Sequence, residues 1–355
     1  MPPALTSPFS TGEFPELETL QRLVDRAGAA ARADTLAEIE TPRGRLPLIC
    51  LELGSEAPDA PAVGFFGGVH GVERIGSQVL LAYLHALVER LGWDESLAAM
   101  LARVRLVFVP IVNPGGMLLG TRANPAGVDL MRNAPVEADP GVPRLLGGQR
   151  LSPSLPWYRG GAGEPMQPEA QALCALVERR LLGQPFSLTL DCHSGFGMRD
   201  RIWFPYARTR EPVACLPEIY ALRSMFRSTH PFHGIYVIEP QSRQYLAHGD
   251  LWDYLYDRSD KAARTYIPLT LELGSWIWVK KRPLQLFSTL GLFNPIAPHR
   301  LHRALRRHLT LLDFLVRAAI SHHRWRPPAE ARAALMEAAM AYWYGAARPA
   351  PQRLA

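Results

Sequence analysis

Apolar and polar positions along this chain follow two different periods. Helical spacing runs through PELETLQRLVDRAG (15–28) and through ERIGSQVLLAYLHALVERLG (73–92). It returns in PEAQALCALVERRLL (168–182), near 214–228, in 298–320 and in 328–345. Between these lie short segments of strand character. ADTLAEIETPRGRLPLICLELG (33–54) alternates on both sides of the turn-like TPRGR, which predicts two strands. PAVGFFGGVHG (61–71), VRLVFVPIVNP (104–114) and FSLTLDCHSGFG (186–197) are apolar without alternation, the pattern of strands buried on both faces. IWFPYA (202–207), GIYVIE (234–239) and RTYIPLTLELG (264–274) read as further strands. Residues 134–168 are rich in Pro and Gly and read as one long loop, expected to wall a functional site.

Strands alternating with helices predict an α/β fold: a mixed, mostly parallel central sheet with helices on both faces. In such sheets ligands bind beyond the carboxyl ends of the strands, so residues just past strand ends are the ones to examine. The length of 355 residues admits two domains or one large one. Hydrophobic residues at 48% and charged residues at 20% exclude a disordered chain, a collagen and a coiled coil. No run of about 18 apolar residues predicts a membrane span.

Charge changes the picture little. Thirty-nine Lys and Arg against 33 Asp and Glu leave +6, too mild to imply nucleic acid or membrane binding. The densest basic stretch, Arg300 to Arg307, reads as one solvated helix face. Cys50, Cys174, Cys192 and Cys215 are scattered, which predicts neither a disulfide framework nor a thiolate metal site. Reduced thiols, with an N-terminus MPPALTSPFSTGEF that lacks a basic and an apolar region, lead to the expectation of a cytoplasmic protein. His299, His302, His308, His322 and His323 are read as packing residues, since no carboxylates stand near them at ligand spacing.

Three strand ends bring metal-ligand residue types together. His70-Gly71-Val72-Glu73 follows GFFGGV, Asp191-Cys192-His193-Ser194 closes FSLTL, and Glu272 ends YIPLTLELG. Two histidines and a carboxylate are the donor set with which hydrolases hold zinc while leaving a position for water. A further carboxylate can then serve as general base. A His-x-x-Glu pair is weak by itself; the second strand-end histidine, 120 residues after Glu73, strengthens it. Between them, NPGGMLLGTRANPAGVDLMRNAP (113–135) carries Arg122, Asp129, Arg132 and Asn133. Arginines in such a loop can stabilise an oxyanion or hold a carboxylate bidentately.

The ordered set of His-x-x-Glu, Asn-Pro-x-Gly, Arg, Gly-Val-Asp-x-x-Arg-Asn, Asp-x-His-Ser and Leu-Glu-Leu-Gly resembles the zinc carboxypeptidases, the carboxypeptidase A-like or funnelin group. The match covers residues from about 60 to 275. It implies one catalytic domain over 1–355, an α/β/α sandwich with its core at about 15–322 and a helical extension at 323–355. By the resemblance, His70, Glu73 and His193 would bind one zinc ion, and Glu272 would activate its water. Arg122 would polarise the scissile carbonyl, and Arg132 and Asn133 would hold the substrate carboxylate. Asp129 would orient the first zinc histidine. Tyr245, 27 residues before Glu272, would close over the substrate.

One departure is visible. Family members usually carry Asn-Arg-Asn where this chain has Met131-Arg132-Asn133, so an amide donor toward the carboxylate is lost. By the same alignment Trp252 and Asp253 would line the specificity pocket, with Asp250 or Asp253 attracting a basic side chain or else capping a helix near 250. The implied activity is hydrolysis of an amide bond beside a carboxylate-bearing residue. The substrate is a peptide C-terminus or an N-acyl amino acid, since the related succinylglutamate desuccinylase and aspartoacylase group shares several of these motifs. A non-catalytic binding module on the same fold is the remaining alternative, and zinc stoichiometry distinguishes it. No nucleic acid or membrane partner is expected.

Overall fold

A computed structural model describes residues 13–345. The segment read above for a targeting signal lies mostly outside that range, as do the last ten residues of the expected helical extension.

The core is one eight-stranded sheet. Its strands are β1 (Ala31–Thr41), β2 (Gly44–Gly54), β3 (Ala62–Gly67), β4 (Arg105–Val109), β5 (Phe186–Ser194), β6 (Arg201–Phe204), β7 (Val237–Pro240) and β8 (Thr265–Leu273). They lie in the order β1-β2-β4-β3-β5-β8-β6-β7. The centre, β4-β3-β5-β8, is parallel throughout. Antiparallel pairs flank it: β1 with β2, β2 with β4, and β6 with β8. The mixed α/β sheet expected from the sequence is therefore present, with its parallel part confined to the middle and to β6-β7. The first pair is antiparallel because only Pro42 and Arg43 separate the two strands, too few for a crossover.

The central strands read as apolar runs for a physical reason. Every residue of β3, β4, β5 and β8 is buried, since helices cover both faces. Gly64 faces Leu181, at the end of the helical stretch 168–182, whereas Gly67 faces Leu80 of helix Arg74–Val88. An odd spacing along a strand puts these contacts on opposite faces. Prolines set several strand ends. Pro110 and Pro205 follow β4 and β6 directly, where a residue without N–H cannot continue the ladder. No strand or helix forms between residues 133 and 167, as the composition of that stretch predicts. Helix Ala329–Trp343 seats the buried Trp343 ring edge-on against Phe204, with centroids 4.9 Å apart.

Candidate metal and catalytic centre

The centre lies beyond the carboxyl ends of the parallel strands β3, β5 and β8. Leaving β3, the chain turns through His70 and Glu73, and Glu73 N–H donates to the His70 carbonyl at 3.0 Å. Asn113, just past β4, braces this turn: its Nδ2 donates to the Val69 carbonyl at 3.2 Å while its Oδ1 caps Gly116 N–H at 2.8 Å. The helix that follows presses on β5. A Cβ on Gly76 would stand 2.1 Å from the Cys192 carbonyl oxygen, so a residue without a side chain is needed there. On the sheet, His193 and Glu272 are register partners in adjacent strands. Pairing alone thus brings together two residues 79 positions apart in sequence (272 − 193).

His70, Glu73 and His193 converge. Their candidate donor atoms all lie within 4.8 Å of one another, and all three residues are buried. The two Nδ1 atoms are 3.3 Å apart; Glu73 Oε1 is 2.9 Å from His70 Nδ1, and Oε2 is 3.1 Å from His193 Nδ1. Each histidine directs its other nitrogen to a buried carboxylate: His70 Nε2 to Asp129 Oδ1 at 3.0 Å, and His193 Nε2 to Asp191 Oδ2 at 2.7 Å. That arrangement makes Nε2 the protonated nitrogen and turns the Nδ1 lone pair inward when the ring is neutral.

Charge is concentrated and partly paired. Arg122 donates from Nε to Asp129 Oδ2 and from Nη1 to Glu73 Oε1, both at 3.0 Å. Burial disfavours the charged form of Glu73, yet His70 and His193 outweigh it and hold the carboxyl well below its usual range. Burial also opposes charge on His193, but Asp191 and Glu73 raise that imidazole well above its ordinary value. Glu272 is pushed up to about 8, first by burial and then by the Glu73 charge. Phe196 N–H donates to its Oε1 at 2.8 Å.

A cavity of about 230 Å³ opens over these groups, lined also by Arg122, Arg132, Tyr245, Gln241, Thr270 and Trp203. The loop 134–167 contributes Leu146 and Trp157 to its wall. Arg132 is buried, its Nη2 lies 3.4 Å from the Tyr245 hydroxyl, and it has no carboxylate partner among the described residues. Asn133 does not reach this cavity. Its amide donates to the Arg159 carbonyl at 2.9 Å and accepts from Gln167 N–H at 2.5 Å, so it fastens the long loop instead. Met131, in place of the amide noted above, is an apolar part of the lining.

A family model described as zinc carboxypeptidase matches residues 30–274. The chain belongs to the zinc carboxypeptidase family. Among curated relatives, carboxypeptidase D of Anas platyrhynchos is 24% identical over 183 residues, covering 49% of this chain and 11% of that protein. The chain thus matches about a tenth of that relative's length. The crystal structure of thrombin activatable fibrinolysis inhibitor superposes with a TM-score of 0.62 at 19% identity, covering 87% of this chain and 73% of the other. Carboxypeptidase A from Helicoverpa armigera gives 0.61 at 18% identity over 85% and 71%. These structures show the shared fold.

The donor set fits the family's metal. Ligands at about 2.0–2.1 Å around a tetrahedral zinc stand about 3.3 Å from one another, which is the 3.3 Å separation of the two Nδ1 atoms. Asp191 is a residue the sequence reading left without a role. Its position two before His193 on one strand puts both side chains on the same face, a signal legible in Asp-x-His. Thr270 is legible in the same way, two before Glu272. Trp203, Gln241, Leu146, Trp157 and Phe293 carried no local signal for a zinc carboxypeptidase wall.

The expected place of Trp252 and Asp253 in the pocket is corrected. Trp252 is buried behind the site, with Nε1 donating to Asp191 Oδ2 at 2.9 Å and its ring against Phe66. Asp253 accepts N–H groups from Ala207 and Arg208, and Asp250 caps helix Leu251–Arg258. The helix turns these side chains inward, so neither acid can meet a substrate. Two tyrosines near Tyr245 in sequence are engaged elsewhere: the Tyr256 hydroxyl accepts Cys215 N–H, and Tyr236 bonds to His308.

Proposed function

We propose that this chain is a zinc-dependent hydrolase that cuts the amide bond preceding a carboxylate-bearing terminal residue, a peptide C-terminus first. One observation carries the reading. Arg132 is a buried guanidinium on the cavity wall with no carboxylate of its own. Burying an unpaired charge is costly, and a substrate carboxylate removes that cost. Arg122, by contrast, is already held by two protein carboxylates.

His70, Glu73 and His193 would hold the zinc, which would supply Lewis acidity, an acidified water and a positive charge beside Glu272. Asp129 and Asp191 orient the two imidazoles. Glu272 takes a proton from the attacking water and delivers it to the leaving amine. Arg122, fixed by Glu73 and Asp129, offers its remaining N–H groups to the scissile carbonyl as negative charge develops there. Arg132 and the Tyr245 hydroxyl hold the terminal carboxylate. The four cysteines, buried and unpaired, are in keeping with a reducing compartment such as the cytoplasm.

The test is a mass-spectrometric screen of the zinc-loaded protein, with Glu272→Gln as the blank. Peptides with free and amidated C-termini form one arm and N-acyl amino acids the other. Release of C-terminal residues from free peptides alone is expected. Cleavage confined to acyl amino acids would transfer the chain to deacylase chemistry. Stoichiometric zinc with silence in both arms would leave a substrate outside both classes or a binding module.

A further inference from the structure

Resting on the reading just given, we propose that Gln241 and Thr270 make the side-chain pocket selective for residues with an uncharged amide, glutamine and asparagine before all others.

The pocket's charge comes first. Apart from the metal-site residues and Glu272, the ionisable groups on the cavity wall are Arg122, Arg132 and Tyr245. Arg122 is paired within the protein, Arg132 is taken by the terminal carboxylate, and burial raises the Tyr245 phenol, which keeps it neutral. The acids once expected to draw a basic side chain, Asp250 and Asp253, are consumed by backbone N–H groups elsewhere. A lysine or arginine side chain therefore finds no free carboxylate, and an aspartate or glutamate side chain finds no free cation. Either would be desolvated without a partner.

The hydrogen-bonding groups come second. Gln241 is 6% exposed and Thr270 7% exposed, and both line the cavity. Neither side chain has a hydrogen-bond partner among the described residues. Both open onto the cavity, so whatever fills it, solvent or a bound side chain, supplies their partners. The sheet places Gln241 and Thr270 on one wall, on either side of Trp203. Trp203 is the register partner of Thr270 on one side and of Glu239 on the other, and Gln241 lies two residues beyond Glu239. The Trp203 and Tyr245 rings meet edge-on at 6.2 Å, forming an aromatic flank. An amide offers both a donor and an acceptor, and the group that satisfies both at once is another amide. An aliphatic side chain would fill the space and leave Gln241 unpaired; a carboxylate would present only acceptors.

The experiment measures kcat/KM for a peptide series differing only in the C-terminal residue: Gln, Asn, Leu, Phe, Lys, Arg and Glu. The zinc-loaded protein should favour Gln or Asn over Leu by about ten-fold and over Lys, Arg and Glu by about a hundred-fold. Gln241→Leu should erase the advantage of Gln over Leu, and Gln241→Glu should move the preference toward Lys and Arg. Thr270→Val is the second variant if either fails to fold, and should reduce the amide preference in the same direction. A flat profile, or a first choice of Lys, Arg, Leu or Phe, overturns the inference while leaving the hydrolase reading in place. If no peptide is cut, the same series is titrated calorimetrically into Glu272→Gln. Tighter binding of the Gln peptide, lost in Gln241→Leu, then supports the pocket while the hydrolase reading fails; equal binding across the series overturns it.

Discussion

Asp129 meets His70 at 3.0 Å, Oδ1 to Nε2, and with its other oxygen accepts Arg122 Nε at the same distance. One buried carboxylate thus aims an imidazole of the candidate metal site and anchors the arginine proposed to face the scissile carbonyl. Burial opposes its charge, yet Arg122 and His70 hold it well below the usual carboxylate range, so it is ionised at neutral pH. Asp129→Ala should lower zinc affinity by about 10–100-fold. Competition against a chromogenic chelator measures this. Wild-type affinity in the variant would remove the orienting role.

On the proposed reading, Met131 leaves the substrate carboxylate with Arg132 as its main donor on this side. An asparagine there should add one hydrogen bond to a charged acceptor, worth about 1–2 kcal/mol. Met131→Asn is therefore expected to lower KM for free-acid peptides by about five- to thirty-fold and to leave amidated peptides unaffected. A KM that does not fall would place the carboxylate away from residue 131.

Gly249 lies against the backbone of Arg132. Its φ is +69°, and a Cβ would stand 1.8 Å from the Arg132 carbonyl oxygen. Its N–H and carbonyl also pair with Val136 and Ala134. Gly249→Ala should cost about 3 kcal/mol of stability and weaken discrimination between free and amidated peptides. Denaturant melts and the ratio of kcat/KM for the two peptide types read these effects. A variant with wild-type stability would contradict the close approach.

His308 predicts an acid-sensitive fold. Burial lowers its pKa to about 4, with Arg307 and His233 adding to that effect and Asp200 opposing it; the Tyr236 hydroxyl bonds to Nδ1 at 2.8 Å. The unfolded chain, with an ordinary histidine value of about 6.5, binds this proton more readily than the folded one. The contribution to stability is therefore complete above pH 6.5, declines as pH falls toward 4 and is lost below that. The full difference is about 3 kcal/mol. Urea melts of the metal-free protein at pH 7 and 4.5 should show a steeper loss than those of His308→Gln. Parallel pH profiles would exclude His308 as the source.

Most of the candidate centre was legible in the sequence because its chemistry sits at strand ends. His70, Glu73, His193 and Glu272 follow or close apolar runs, and the parallel sheet brings such ends to one edge. Asp191 and Thr270 were legible in principle through the two-residue period of their strands. Asn133 was not: motif position put it beside the carboxylate, but its amide is spent on Arg159 and Gln167, which belong to the long loop. Trp252 failed for a similar reason, since the helix starting at Leu251 rotates it behind Asp191.

The sequence by itself determined the element pattern, the α/β class and the ordered donor set, because each depends on local period or on residues adjacent to a strand end. Only the tertiary structure decided the antiparallel flanks, the pairing of Arg122 with Glu73 and Asp129, and the neutral wall built from Gln241, Thr270 and Trp203. Those outcomes depend on which strand lies beside which, and on where loops separated by a hundred residues meet. No single segment of the chain encodes such a neighbourhood; sheet pairing and the packing of helices on both faces create it.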